Sequence, residues 1–224
     1  MEISPHPVRK VVVRGATQTT GYFASYKMGR LVPWEHQLER DFIILAEVDA
    51  AVSGFHAQPL QTEYWVKNRL HAYVPDFAVE IDGATEIHEI KPDHLAADQA
   101  YQTHLSAAAA AIEHVGYSFH LTTSSLIHRE PYFSNAKLVA RCLHHHVDPD
   151  DELFLDDLLD TISGLPLVAL LDGRYGREIQ LTSLYALLAR GAITTDFGSA
   201  LSLTSPLTRT PHPQRFLPTG VRPL

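Results

Sequence analysis

Cysteine is almost missing from this chain of 224 residues: Cys142 stands alone, so no internal disulfide framework can form, and a reducing cytoplasmic setting is expected. Long apolar runs are missing as well. No stretch approaches the roughly 20 apolar residues of a membrane span, and the start of the chain has no signal-peptide apolar region. Nor is there a basic excess. Eighteen Lys and Arg against 26 Asp and Glu give a formal charge of −8. That argues against an unaided, salt-driven nucleic-acid binder, which carries a surplus of cations, but not against a DNA enzyme delivered by a partner. What is present is ordinary globular material: 45% hydrophobic and 20% charged residues, enough to build a sizeable core.

The charge is unevenly placed. Residues 1–40 hold six basic and three acidic side chains, residues 41–125 three and twelve, and residues 126–224 nine and eleven. Carboxylates concentrated in one segment repel one another unless a cation sits among them. A solvated acidic surface is one reading of residues 41–125, and a divalent-metal site is the sharper one.

Local patterns give the element order. Residues 8–14 read as a short strand or extended arm, and residues 15–30 as irregular, cationic loop. From Pro33 to about Val48, Trp34, Leu38, Phe42 and Leu45 recur at helical spacing. Strands are expected over residues 62–67, 72–81 and 85–91, with Tyr73, Phe77, Val79 and Ile81 on one face and a turn at Asp82-Gly83. An alanine-rich helix over residues 94–115, ended by Gly116, precedes a last strand from Tyr117. The order helix, three strands, helix, strand predicts an α/β core.

Residues 126–204 carry helical patterns around 134–146, 151–162 and 180–190 and predict a small helical domain ending in a short hairpin or wing. The domain reading is therefore a basic N-terminal arm (1–30), an α/β domain (31–125), a helical domain (126–204) and a proline-rich tail (205–224) expected to be disordered.

The chemistry concentrates in the 72–91 hairpin. Residues two apart share a strand face, so Glu89 and Lys91 point one way and Ile90 the other. Asp76 lies off the Phe77–Val79 face and can meet them across the ladder. Two carboxylates and an ammonium then converge, and Mg²⁺ favours oxygen ligands of this kind, with Mn²⁺ a substitute. A metal there lowers the pKa of bound water and neutralises phosphoryl charge, while a lysine orients water or meets the developing charge. Pro75-Asp76 with Glu89-Ile90-Lys91 thus reads as the PD…ExK pattern of restriction-endonuclease-like nucleases, with Glu39 supplying a further carboxylate from the preceding helix.

Residues 26–48, together with Gln58-Pro59, Pro75-Asp76-Phe77 and Glu89-Ile90-Lys91-Pro92, resemble the TnsA-type endonucleases of heteromeric transposases. The similarity spans about residues 12–125 and continues more loosely through Arg129-Glu-Pro and Asn135-Ala-Lys-Leu. The resemblance implies a restriction-endonuclease-like PD-(D/E)xK core followed by a winged-helix-like domain. It implies that Glu39, Asp76 and Glu89 hold the metal and that Lys91 is the catalytic lysine. Some relatives carry glutamine at the position of Glu89. It further implies DNA transposition: hydrolysis at the 5′ ends of the mobile element, beside a DDE-type transposase that handles the 3′ ends and an AAA+ regulator ATPase, in a bacterial cytoplasm at the nucleoid. Lys27 and Arg30 are the candidate DNA-binding residues. A stand-alone restriction or repair nuclease, and a non-catalytic assembly module, are the alternative functions.

Other charged features read as structural. Consecutive His144, His145 and His146 point in three directions on a helix. His88 alternates away from Glu89 and Lys91. Glu35 suits a helix start. The seven acids from Asp148 to Asp160 lack the spacing of a calcium loop and read as a solvated helix.

Overall fold

A computed structural model describes residues 2–9, 19–209 and 216–223. They divide into two compact units. One comprises the described residues up to Ala46, Val52–His128 and those from Leu217; the other comprises Glu47–Ala51 and Arg129–Phe216. Residues 10–14 of the expected extended arm and 15–18 of the expected irregular loop lie outside the described residues. Among those described, no helix is long and apolar enough to cross a membrane.

The first unit is α/β. It opens with a hairpin of β1 (Gly21–Ser25) and β2 (Arg30–Trp34), in place of the irregular loop that composition predicts. Pro33 lies within β2 opposite Tyr22 rather than at a helix start, a position open to proline in an isolated two-stranded ribbon because one side of each strand has no ladder to serve. Gly21 pairs with Trp34, and a Cβ there would lie 2.4 Å from the indole, so the ring's placement requires glycine. Helix α1 (Gln37–Val48) starts four residues later than Pro33.

Strand β3 (Val52–Ala57), which the sequence pattern does not predict, leads to β4 (Thr62–Val66) and β5 (Arg69–Tyr73), which form a second hairpin. Its two-residue turn, Lys67-Asn68, has φ of 48° and 60°, the paired positive values of a type I′ turn. The expected single strand over 72–81 is therefore two, because Pro75 has no N–H for a ladder and separates β5 from β6 (Phe77–Ile81). Asp82-Gly83, with φ of 49° and 78°, turns β6 into β7 (Ala84–Lys91) as expected. A short α2 (Asp93–Ala96) and α3 (Gln99–His114) replace one continuous helix; Asp98 divides them by accepting the Tyr101 N–H at 2.7 Å as the cap of α3. Strand β8 (Ser118–Thr123) and α4 (Ser124–Ile127) follow.

The main sheet has the order β3-β6-β7-β8, antiparallel except for the parallel β7–β8 pair. Its alternation sorts the core into two layers. Phe77 and His88, cross-strand partners, lie 5.2 and 5.1 Å from the Phe42 ring of α1. Ala78 and Ile87 face the opposite layer, where Leu105, Ala109 and Ile112 of α3 repeat at helical spacing and pack with Phe119 and Leu121. Each fully buried Phe or Ile of this kind contributes roughly 1.5–3 kcal/mol.

Residues 210–215 of the expected proline-rich tail lie outside the described residues, and the described residues after them are not free. Val221 forms an antiparallel bridge with Leu121 of β8, and Arg222 reaches Glu113 at 2.6 Å. Gly220 makes this possible, since a Cβ would lie 2.6 Å from that of His120.

The second unit contains α5 (Tyr132–Ala140), α6 (Pro149–Thr161), β9 (Leu165–Pro166), α7 (Val168–Leu171), α8 (Leu181–Ala189), β10 (Ile193–Thr194) and β11 (Pro206–Arg209). Three short antiparallel strands in the order β10-β11-β9 sit among these helices, so residues 206–209 of the expected tail belong to a sheet. Buried Asn135 organises this unit: its amide donates to the Phe197 and Ser199 carbonyls at 3.0 and 2.8 Å and accepts the Leu201 N–H at 2.9 Å. The acidic helix α6 is partly neutralised, Arg177 pairing with Asp151 and Arg209 with Asp160. His145 Nε2 lies 3.2 Å from the Thr182 hydroxyl.

Candidate active site

The C-terminal end of β7 brings the PD…ExK residues together. Alternation along β7 puts Glu89 and Lys91 on the α3 side and Ile90 on the other. Asp76 arrives from the residue before β6, held by its neighbours. The Gln58 N–H donates to the Asp76 carbonyl at 2.8 Å, so the Gln58-Pro59 motif supports the backbone beside the site. The Asp76 carboxylate accepts the Ile90 N–H at 2.7 Å.

Lys91 joins the two acids. Its Nζ lies 2.8 Å from Glu89 Oε1 and 3.7 Å from Asp76 Oδ2. Both carboxylates are buried, Glu89 at 4% exposure and Asp76 at 8%. Two phenols complete the surroundings of Glu89: Tyr73 donates to Oε2 at 2.5 Å and Tyr101 to Oε1 at 2.7 Å. Strict alternation predicts Tyr73 on the buried strand face with Phe77. The Pro75 break instead turns it toward Glu89. Nothing in the local sequence marks Tyr101; the parallel crossover from β7 to β8 delivers the first turn of α3 to this place.

Glu39 is placed differently. It is 6% exposed and lines one pocket of about 230 Å³ with His36, Leu38, Ile90, Lys91, Pro92 and Leu95. Its carboxylate accepts the Glu35 N–H at 2.8 Å and lies 3.0 Å from His36 Nδ1, closing the start of α1. Oxygens of Glu35 and Glu39 and a His36 nitrogen fall within 4.8 Å of one another. Glu35 also pairs with Arg9 at 2.8 Å. The structure thus unites Asp76, Glu89 and Lys91 by direct contact and sets Glu39 in the adjoining pocket wall. Lys27 and Arg30, on the β1–β2 hairpin, are internally engaged: Lys27 donates to the Ala46 carbonyl at 3.1 Å and Arg30 contacts His56 Nδ1 at 3.0 Å.

Electrostatics follow from this crowding. Burial, then the Glu89 charge, pushes the Asp76 carboxyl well above the usual carboxylate range; Lys91 and the Ile90 N–H oppose the shift. Burial would lower the Lys91 ammonium, but Asp76 and Glu89 outweigh it and raise its pKa. Burial, then Glu89, raises both Tyr73 and Tyr101, which keeps the phenols protonated and donating. The donor set is hard oxygen with more negative than positive charge, a combination that suits Mg²⁺ or Mn²⁺ held by Asp76 and Glu89.

No protein-family model matches the chain, and a search of curated proteins gives no sequence match.

Proposed function

We propose that this protein is a metal-dependent DNA endonuclease of the restriction-endonuclease-like class. On its resemblance to TnsA-type endonucleases, we further propose that it is the subunit of a heteromeric transposase that hydrolyses the 5′ ends of the element. The observation that carries the reading is the meeting of Asp76, Glu89 and Lys91 at one end of a mixed sheet, in the order and spacing of the PD…ExK pattern.

Asp76 and Glu89 would hold Mg²⁺, with Glu39 close by in the pocket wall; when bound, the ion supplies positive charge at the scissile phosphate and acidity to water. Lys91, kept protonated by its acidic neighbours, donates hydrogen bonds toward the attacking water or the developing phosphoryl charge. Tyr73 and Tyr101 fix the Glu89 carboxylate and leave it little rotational freedom. The second unit is read as the winged-helix-like module, with a DDE-type transposase and an AAA+ ATPase as partners.

The test is cleavage of duplex carrying the element's end, with Mg²⁺ or Mn²⁺, in the presence and absence of both partners. Cutting that needs the partners and is lost in Asp76→Ala and Lys91→Ala supports the full reading. Cutting without partners reduces it to an independent nuclease, and absence of metal-dependent cutting by folded protein with active partners rejects it.

A further inference from the structure

We propose that the β4–β5 hairpin is a DNA-gripping arm that holds the duplex beside the scissile phosphate, a proposal that rests on the nuclease reading. The hairpin is stiff by construction. Five residue pairs run from Thr62↔Tyr73 to Val66↔Arg69, closed by the two-residue turn.

Its two faces are unlike. One is anchored: the Tyr64 hydroxyl lies 3.0 Å from His104 Nδ1 on α3, and the His71 ring lies 5.3 Å from that of Tyr64 and 4.8 Å from that of His104. The other presents Trp65 and Leu70, direct cross-strand partners, 66% and 49% exposed. The second tryptophan of the chain, Trp34, is 8% exposed.

Charge selects the occupant. Residues 41–125 contain three cations against twelve acids, and those three are Lys91, Lys67 and Arg69. Every cation of that segment other than the site lysine therefore lies at the tip of this hairpin. Both are exposed, and among the described residues neither forms an ion pair. The other described cations of this unit are already engaged, Arg9 with Glu35, Lys27 with the Ala46 carbonyl, Arg30 with His56, Arg40 with Asp41, Lys91 with Glu89 and Arg222 with Glu113, so a polyanion meets uncommitted positive charge at the tip. A basic or purely apolar protein partner would explain Trp65 but not this distribution.

The connection to the site sets the reach. Strand β5 ends at Tyr73, whose hydroxyl holds Glu89, so the tip is tied to a proposed metal ligand by one extended strand. The four steps from Arg69 to Tyr73, at about 3.3 Å each, span roughly 13 Å, or about four base-pair steps of duplex at roughly 3.4 Å per step. Lys67 and Arg69 then meet flanking phosphates, while Trp65 and Leu70 press an apolar edge against the groove wall, sugar or base.

The test uses the full chain, a dye-labelled duplex, EDTA and low salt. Lys67→Ala/Arg69→Ala is expected to weaken binding about tenfold and to flatten the slope of log affinity against log salt by roughly two, near one for each phosphate that is no longer neutralised. Trp65 emission should change when wild type binds DNA, with Trp34 a buried constant background, and Trp65→Ala should remove the change while leaving the melting temperature unaltered. The proposal is overturned if the double variant binds with unchanged affinity and slope, or if wild type binds no duplex at all. It is equally overturned if Trp65→Ala keeps DNA affinity but loses association with the transposase partner, which would assign the face to protein. Unchanged binding by the double variant, with Asp76-dependent cutting intact, removes the arm and leaves the nuclease. Hairpin-dependent binding without any metal-dependent cutting removes the nuclease and leaves the arm.

Discussion

The Tyr101 hydroxyl and the Lys91 ammonium converge on one oxygen, Glu89 Oε1, at 2.7 and 2.8 Å. Because Tyr73 donates to the other oxygen, both oxygens of the Glu89 carboxylate are held by protein donors. Tyr101→Phe keeps the ring and removes that donor. The expected result is about a tenfold loss of Mn²⁺ affinity, the lower end for a residue that orients a ligand, read by calorimetry on protein whose melting curve shows it folded. Equal Mn²⁺ affinity in the variant would reject the orienting role.

Asp76 pays an electrostatic penalty when ionised, since burial and Glu89 raise its pKa. A raised carboxyl contributes stability that is complete below its unfolded pKa of about 3.9 and is lost as pH rises through the folded value. Asp76→Asn, which can still accept the Ile90 N–H, should therefore melt at a higher temperature than wild type at pH 7. The difference should vanish near pH 3, and the same variant should not cut DNA. A lower melting temperature at pH 7 would contradict the assignment of Asp76 as a functional strain.

Asp93 has the opposite sign. It accepts from the Ser124 hydroxyl, the Ser125 hydroxyl at 2.7 Å and the Ser125 N–H at 3.0 Å, and these donors hold its pKa down at about 2. Asp93→Ala should cost about 0.5–1 kcal/mol at pH 7, as for an exposed helix cap. That cost should fade as pH falls from about 4 toward 2, because the folded carboxylate then becomes protonated. Melting curves across this window give the answer.

In the second unit, Asn135 fills three hydrogen-bonding positions of residues 197–201 from one buried amide. Asn135→Leu strands two carbonyls and an N–H, and a loss of roughly 2–4 kcal/mol is expected in urea unfolding. Asn135→Asp, which keeps the acceptor but sets a buried carboxylate against the two carbonyls, should cost at least as much at pH 7.

Much of the α/β unit is legible in the sequence because local and tertiary preferences agree there. Asp-Gly at 82–83 demands a tight turn, period-two alternation sorts Phe77 and Ala78 into opposite layers, and the 105–112 apolar stripe fits only a helix. The same alternation brings Asp76, Glu89 and Lys91 to one face. Strand β3 is hidden because Gly54 and His56 dilute its pattern and its pairing with β6 shifts register between Val52 and Gly54. Pro33 mimics a helix start because its fixed φ serves both a first turn and an unpaired strand side. Tyr101 and the capping posture of Glu39 depend on contacts across the fold, which no short window contains.

The two units are not consecutive stretches of chain. Asp49, fully buried, accepts the Phe216 N–H at 2.6 Å, and Gly191 meets Ala50, so a five-residue insert from inside the first unit's sequence is integral to the second. A gene fragment beginning at Arg129 would lack that insert, and one stopping at His128 would lack Val221, which bridges to Leu121. A cut between residues 128 and 129 therefore leaves each product without residues that complete its own unit.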